Sequence, residues 1–369
     1  MDVKEKIRFL HIAYNRHKFM GAVTSFFDGD ERIENRYLFL DEEGPETIKG
    51  GDYDVAYFHS LPDRSWRLLK FVPENKTIIW WAWGYDIYES FYGLSPFISI
   101  RYLQITKQWM RNAFGITFKL KKPLKWIYGH LFVERYRKEV LHRTDYFQPV
   151  LTDEWNMMQE RYKDFHARLF LVPYSHPTLR SSQPPLGEKE TLKPVMLGNS
   201  GLFGGNLPDV IEKLDHAGIQ NREFIVPLSY GQSQQYMDKA KQRLKASSLN
   251  YRILDQFLPL EEYQKIMVSC RFMVNGILRQ GAVGNISFAL QNGVKVFLWR
   301  DSMLYQYYQK IGVKVFAIDD INSHSFDEPL SEEDSLHNLD LMKKNHEYMK
   351  NVYNQVINEL LLIINNKTK

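Results

Sequence analysis

The chain has 369 residues, beyond the roughly 100–200 of one ordinary domain, so two domains are expected. Its 44% hydrophobic and 14% aromatic content excludes a chain disordered throughout, and its net charge of +4 is small but unevenly spread. A single cysteine, Cys270, excludes an internal disulfide and reads as a small buried residue beside an apolar strand, while no Cys or His spacing suits a structural zinc.

The first residues lead into one short apolar run rather than the core of a signal peptide. The longest apolar runs, 78–83 and 360–364, fall far below the ~20 residues that a membrane span needs, so a cytosolic or peripheral protein is expected. Apolar runs at 7–13, 37–40, 55–58 and 77–81 read as buried strands, followed by helices near 95–112 and 124–142 and strands at 146–150 and 169–172. Between Arg101 and Arg143 eleven Lys and Arg face only two acids, with Trp109, Trp126, Tyr128 and Leu131 interleaved. Basic plus aromatic on a helical stretch suits anionic lipid headgroups. Nucleic acid, or a solvated basic face over a core-facing aromatic stripe, fits the same composition.

A polar stretch, 181–193, carries Pro184, Pro185 and Gly187 and is the best linker in the chain. The alternation then restarts, with strands at 195–197, 224–226, 251–254, 272–274, 294–298 and 313–316. Helices at 233–247 and 260–267 lie between them. A last helix, 335–364, is long enough to leave the second domain and pack back on the first. Alternation of this kind predicts two α/β domains built on parallel sheets, with a cleft between.

Two glycine loops, Gly198-Asn199-Ser200-Gly201 and Arg279-Gln280-Gly281-Ala282-Val283-Gly284, each sit where a strand hands over to a helix. Such corners let backbone N–H groups and a helix N-terminus meet an anionic ligand at the carboxyl ends of parallel strands. Neither has the spacing of a dinucleotide fingerprint or a P-loop. Arg279 suits bidentate contact to phosphate. Tyr230, after a strand, suits stacking on a base or bonding a sugar. An ordinary turn with an N-cap is the alternative for the first loop.

In the first half, Asp86 follows a strand and Gly84. It suits a general base or a sugar contact, or simply a helix cap. His59 holds the analogous place one strand earlier and suits accepting a hydroxyl proton, against a structural role. His11, inside the first strand, reads as core. Asp28-Gly29-Asp30 and Asp52-Tyr53-Asp54 have the D-x-D spacing of some metal-dependent sugar transferases, a spacing common by chance.

Trp83-Gly84-Tyr85-Asp86-Ile87-Tyr88-Glu89, Gly198-Asn199-Ser200-Gly201 with Asn206, Val226-Pro227-Leu228-Ser229-Tyr230, and Arg279-Gln280-Gly281 with Gly284 together resemble a family. It is the bacterial dTDP-4-acetamido-4,6-dideoxygalactose (Fuc4NAc) transferase or 4-alpha-L-fucosyltransferase family. The resemblance implies a GT-B-like α/β fold, two Rossmann-like domains facing each other across a cleft. Residues 1–180 would bind the acceptor, 194–334 the nucleotide sugar, and a C-terminal helix, 335–369, would cross back to the first domain.

The implied activity is a glycosyltransferase moving a hexose from a dTDP-sugar to a polyprenyl-diphosphate-linked oligosaccharide at the cytoplasmic face of the inner membrane. Neither cofactor nor metal is expected. Asp86 and His59 are the candidate bases. Gly198, Asn199, Ser200, Gly201, Asn206, Tyr230, Arg279, Gln280, Gly281 and Gly284 would bind the donor. Trp83, Tyr88, Lys121, Lys122, Lys125 and Trp126 would meet the acceptor or an anionic membrane surface, with no nucleic acid bound. A two-Rossmann nucleotide-sugar epimerase and a non-catalytic binding protein are the alternatives.

Overall fold

The computed structural model describes residues 6–15, 24, 26–61, 66–88, 97–98, 102–120, 127, 131, 133–173, 193–219, 222–231 and 234–367. The chain forms two compact units. The first comprises Met1–Ile100, Lys121–His176 and His346–Lys369, and the second Arg101–Leu120 and Pro177–Asn345.

The sheet of the first unit holds β1 (Ile7–Ala13), β2 (Ile33–Phe39), β3 (Val55–His59), β4 (Thr77–Trp81), β5 (Tyr146–Gln148) and β6 (Arg168–Leu169). Their order is β2-β1-β3-β4-β5-β6, and every pairing is parallel. Every residue of β3 and nearly every residue of β1 and β4 is buried, because a parallel sheet is covered on both faces. The winding direction reverses between β1 and β3, the position where open α/β sheets place ligands.

In the second unit β7 (Val195–Leu197), β8 (Glu223–Pro227), β9 (Asn250–Leu254), β10 (Phe272–Asn275), β11 (Lys295–Leu298) and β12 (Phe316–Ala317) follow the order β12-β11-β10-β7-β8-β9, again all parallel. The reversal here falls between β7 and β10. The expected strand at 313–316 survives only as the short β12.

One boundary departs from the sequence-based expectation. The helix expected at 95–112 runs Gln104–Leu120, and it belongs to the second unit rather than the first. Its N-terminal donors decide this: Ile105 N and Thr106 N bond the Asp209 carboxylate at 2.9 Å each, and Leu103 N bonds Asn206 Oδ1 at 2.9 Å. Orphan N–H groups at a helix start need such acceptors, and the second unit provides them. The last helix, Glu332–Lys367, is assigned to the second unit up to Asn345 and to the first from His346. Within the first unit its Tyr353, Val356, Ile357, Leu360 and Ile364, a stripe at helical spacing, join the core with Phe9, Phe27, Tyr57 and Trp81.

Candidate active site

In the first unit, five polar residues meet at the switch point. Parallel register sets His11 opposite Tyr57, and side chains two residues apart share a face, so His59 comes beside His11. His11 Nδ1 and His59 Nε2 are 3.0 Å apart. His11 Nε2 lies 2.9 Å from Asn35 Oδ1, and Asn35 Nδ2 donates to Asp28 Oδ1 at 3.2 Å. The Tyr37 hydroxyl donates to the same Asp28 oxygen at 2.8 Å. His11 is fully buried among the rings of Phe9, Phe27, Tyr37 and Tyr57. Burial pushes the His11 imidazole down to about 4, against the pull of the Asn35 bond and the Asp28 charge. Burial, then the neighbouring His11, holds His59 well below the ordinary histidine value. Both rings are therefore neutral near pH 7. His59 is 6% exposed, and its Nδ1 is enclosed with no hydrogen-bond partner among the described residues. The core role expected of His11 thus holds by burial, yet the ring also partners His59.

Asp86 corrects the expectation of a catalytic base. It is fully buried and accepts from Leu61 N at 3.1 Å, Trp80 Nε1 at 2.8 Å and Trp83 N at 2.8 Å. Burial pushes its carboxyl up to about 6 despite these donors. A carboxylate spent on three internal donors ties the ends of β3 and β4 to the short helix Tyr85–Tyr88; none of the three is an N–H of that helix, so its role is that of a buried structural brace rather than a helix cap. Tyr88 is likewise buried, donating to Glu154 Oε1 at 2.9 Å, so it presents no surface to a membrane. Trp83 is half-buried, its ring 4.1 Å from that of Trp81. Three of the four D-x-D carboxylates serve arginines, Asp30 holding Arg32 and Asp52 and Asp54 holding Arg8, while Asp28 accepts from Asn35 and Tyr37. Lys121, Lys122, Lys125 and Trp126 lie outside the described residues.

In the second unit, β7 and β10 pair directly, so the two glycine loops leave adjacent strands at the switch point. Their joint is stitched by Gly198 N to Val274 O at 2.8 Å and Asn275 Nδ2 to Asn199 Oδ1 at 3.3 Å. Gly201 N bonds Tyr230 O at 2.8 Å, and Gly201 bridges to Gly231. A Cβ on Gly231 would stand 2.5 Å from Gly201 O, so only glycine permits this approach. The N–H groups of Gly198 and Gly201 are thus spent inside the unit. Between them lie Asn199, half-buried with its Oδ1 accepting from Asn275, and Ser200, buried at 7% exposure.

Asn206 corrects the donor-binding expectation. It is fully buried in a left-handed conformation, with Nδ2 on Gly276 O at 2.9 Å and Oδ1 accepting from Leu103, and so it braces the two loops from within.

The second loop is open toward an anion. The helix Val283–Gln291 begins at Ala282, whose left-handed φ of 55° turns the chain, and no side chain caps it. Gly281 and Gly284 bracket that start, and Arg279, its Nη1 on Gln280 O at 2.6 Å, lies against Gly204 in the short helical turn Phe203–Gly205 that follows the first loop. Gln280 is buried with its Oε1 enclosed and unpartnered. Uncapped N–H groups at a helix start, with an arginine alongside, favour phosphate oxygens. Tyr230, 40% exposed, stands at the end of β8 with its ring 6.4 Å from that of Phe257, which is 65% exposed. Phe257, Gly231 and Asn35 were not singled out by the sequence. For Phe257 the signal was present, an aromatic in the loop after a strand.

The family described as 4-alpha-L-fucosyltransferase, glycosyl transferase group 56, matches residues 149–361. The chain belongs to that family. It is a glycosyltransferase, which sets aside the epimerase and the non-catalytic alternatives.

Solved structures agree on the fold. Trehalose-6-phosphate from E. coli bound with UDP-2-fluoro glucose aligns with a TM-score of 0.57 at 10% identity, covering 96% of this chain and 99% of that one. Anabaena Alr3699/HepE in complex with UDP aligns at 0.52 and 11% identity, covering 98% of each. The Candida albicans trehalose-6-phosphate phosphatase N-terminal domain aligns at 0.54 and 9% identity, covering 98% of each. The GT-B-type α/β fold, two parallel sheets with helices, is the one expected of this glycosyltransferase.

Proposed function

We propose that this glycosyltransferase moves a 4-acetamido-4,6-dideoxyhexose from a dTDP-sugar to a polyprenyl-diphosphate-linked oligosaccharide, with no metal or other cofactor. The observation that carries the reading is the pairing of β7 with β10, which sets both glycine loops side by side at one switch point. In this reading the second unit is the donor-binding domain. The uncapped start of Val283–Gln291, Arg279, and the loop residues Asn199 and Ser200 receive the diphosphate, while Tyr230 and Phe257 offer ring faces to the base. The acceptor hydroxyl attacks the anomeric carbon, the bond from that carbon to the diphosphate oxygen breaks, and the nucleoside diphosphate leaves with the electron pair. His59 of the first unit takes the hydroxyl proton. Asp86 and Asn206 position these corners without touching substrate.

Membrane attachment is peripheral, at the cytoplasmic face of the inner membrane. Exposed Ile127 and Leu131 precede a helix, Glu134–Arg143, whose exposed residues include Arg135, Lys138 and His142, a composition suited to anionic headgroups. Among the described residues no helix is long and apolar enough to cross a membrane.

The test is thermal stabilisation by dTDP, UDP, GDP and CDP, followed by nucleoside diphosphate release with and without lipid-linked acceptor. A ligand at a hundred times its Kd adds about 2.7 kcal/mol, readily seen as a raised Tm. Selective stabilisation by dTDP with acceptor-dependent release is expected. Stabilisation by UDP or GDP alone would overturn the donor, and release without acceptor would overturn the transfer.

A further inference from the structure

The polar chain beneath β1, β2 and β3 has a direction, and its far end sets it. The Asp28 carboxylate accepts and does not donate, so the Asn35 atom facing it is Nδ2. Asn35 therefore turns Oδ1 toward His11, and the His11 nitrogen 2.9 Å away, Nε2, must carry a proton. A neutral ring with Nε2–H has a bare Nδ1. That nitrogen accepts from His59 Nε2–H at 3.0 Å, which leaves the His59 lone pair on Nδ1, the atom with no partner.

We propose that Asp28, Asn35 and His11 are positioning residues that hold His59 in its Nε2–H tautomer, so that Nδ1 is the atom that accepts the proton of the sugar acceptor. The proton's destination rests on the transferase reading above; the tautomer does not. In the step, the acceptor O–H bond breaks toward His59 Nδ1 as the oxygen bonds the anomeric carbon and the nucleoside diphosphate departs with its electron pair. The resulting imidazolium keeps Nε2–H on His11 and holds the new proton on Nδ1. The groups around the two rings suit a neutral chain: Phe9, Phe27 and Trp81 are apolar, Tyr37 donates to Asp28, and the Tyr57 hydroxyl is turned away to Gln148 Oε1 at 2.6 Å. The charged residue facing them is Asp28, through Asn35.

The experiment uses the full chain with 15N-labelled histidine and two-bond 1H–15N correlation at pH 7.5, where each neutral tautomer has its own pattern. Nε2–H on both His11 and His59 is expected; Nδ1–H on His59 would overturn the proposal. Asn35→Ala should give a tautomer mixture at His59 and lower kcat tenfold or more, with KM for the nucleotide sugar unchanged. Unaltered tautomers and kcat in that variant would overturn it. The exchanged pair Asp28→Asn with Asn35→Asp again places an acceptor-only group against His11 and should recover the Nε2–H pattern and most of kcat. Failure of this pair to recover them while folded would count against the chain. Expected tautomers in a protein that transfers no sugar would support the chain and overturn the proposed substrates instead.

Discussion

The two switch-point corners use different materials. In the first unit the corner is made of side chains: His11, Asn35 and His59 project from three neighbouring strands into a hydrogen-bonded line, enclosed by aromatic rings. In the second unit it is made of backbone: two loops with glycines, an uncapped helix start and one arginine. A line of neutral imidazoles, desolvated so that neither is protonated near pH 7, is suited to receiving a proton. A cluster of N–H dipoles beside a guanidinium is suited to a dispersed negative charge. In the proposed reading, the same sheet position is used for base chemistry in one unit and for anion recognition in the other.

Breaking one corner should leave the other intact. The largest effect is expected from His59→Gln, which removes the proposed general base; kcat should fall by roughly 10²–10⁴ while dTDP still raises the Tm. Loss of dTDP stabilisation in that variant would show that the corners are not separable. Arg279→Ala is expected to cost about 3 kcal/mol in the transition state, roughly a hundredfold in kcat/KM, with the acid limb of the pH profile unmoved. Full turnover would remove Arg279 from the leaving-group site.

Asp86→Asn should destabilise the protein by about 1–3 kcal/mol, because an amide group now faces a donor. Its cost should also depend on pH. The folded carboxyl sits near 6, above its unfolded value, so its stabilising contribution is full at low pH and lost as pH rises through 6. The destabilisation by Asp86→Asn should therefore shrink between pH 4 and pH 7 in denaturant titrations; a constant difference would contradict the assignment of Asp86 as a buried structural carboxyl. The smallest effect belongs to Tyr230→Ala, which should weaken dTDP binding by about 1 kcal/mol, roughly fivefold, by calorimetry. An equal loss for the sugar-phosphate portion alone would argue against stacking.

The pH profile sharpens the contrast further. His59 is depressed below the ordinary histidine value, so kcat/KM should stay level as pH falls through 6.5 and decline only below it. A midpoint at 6.5 would place the base elsewhere.

Much of this was legible in the chain itself. Fully apolar runs such as 55–58 and 77–81 announce strands buried on both faces, and their alternation with helices leaves a parallel α/β arrangement as the simple solution. Glycines placed just after strands marked both loops at the switch point, and His59, the last residue of β3, was legible for the same reason. Asp86 was legible in place but not in role: proximity to a strand end is shared by structural carboxylates and bases alike, and only full burial with three donors separates them.

What tertiary structure alone decided is adjacency. Nothing in residues 28, 35, 11 and 59 taken singly says that they form a line; parallel register of β1 with β2 and β3 brings them within hydrogen-bond reach. Nor does local sequence pair β7 with β10 rather than with β9, or hand Gln104–Leu120 to the second unit. Side-chain periodicity reports which face of an element is buried, a property of neighbours along the chain. The partner strand, the protonation of a buried ring and the acceptor for a helix's orphan N–H groups depend on residues far apart in sequence, and only the folded sheets bring them together.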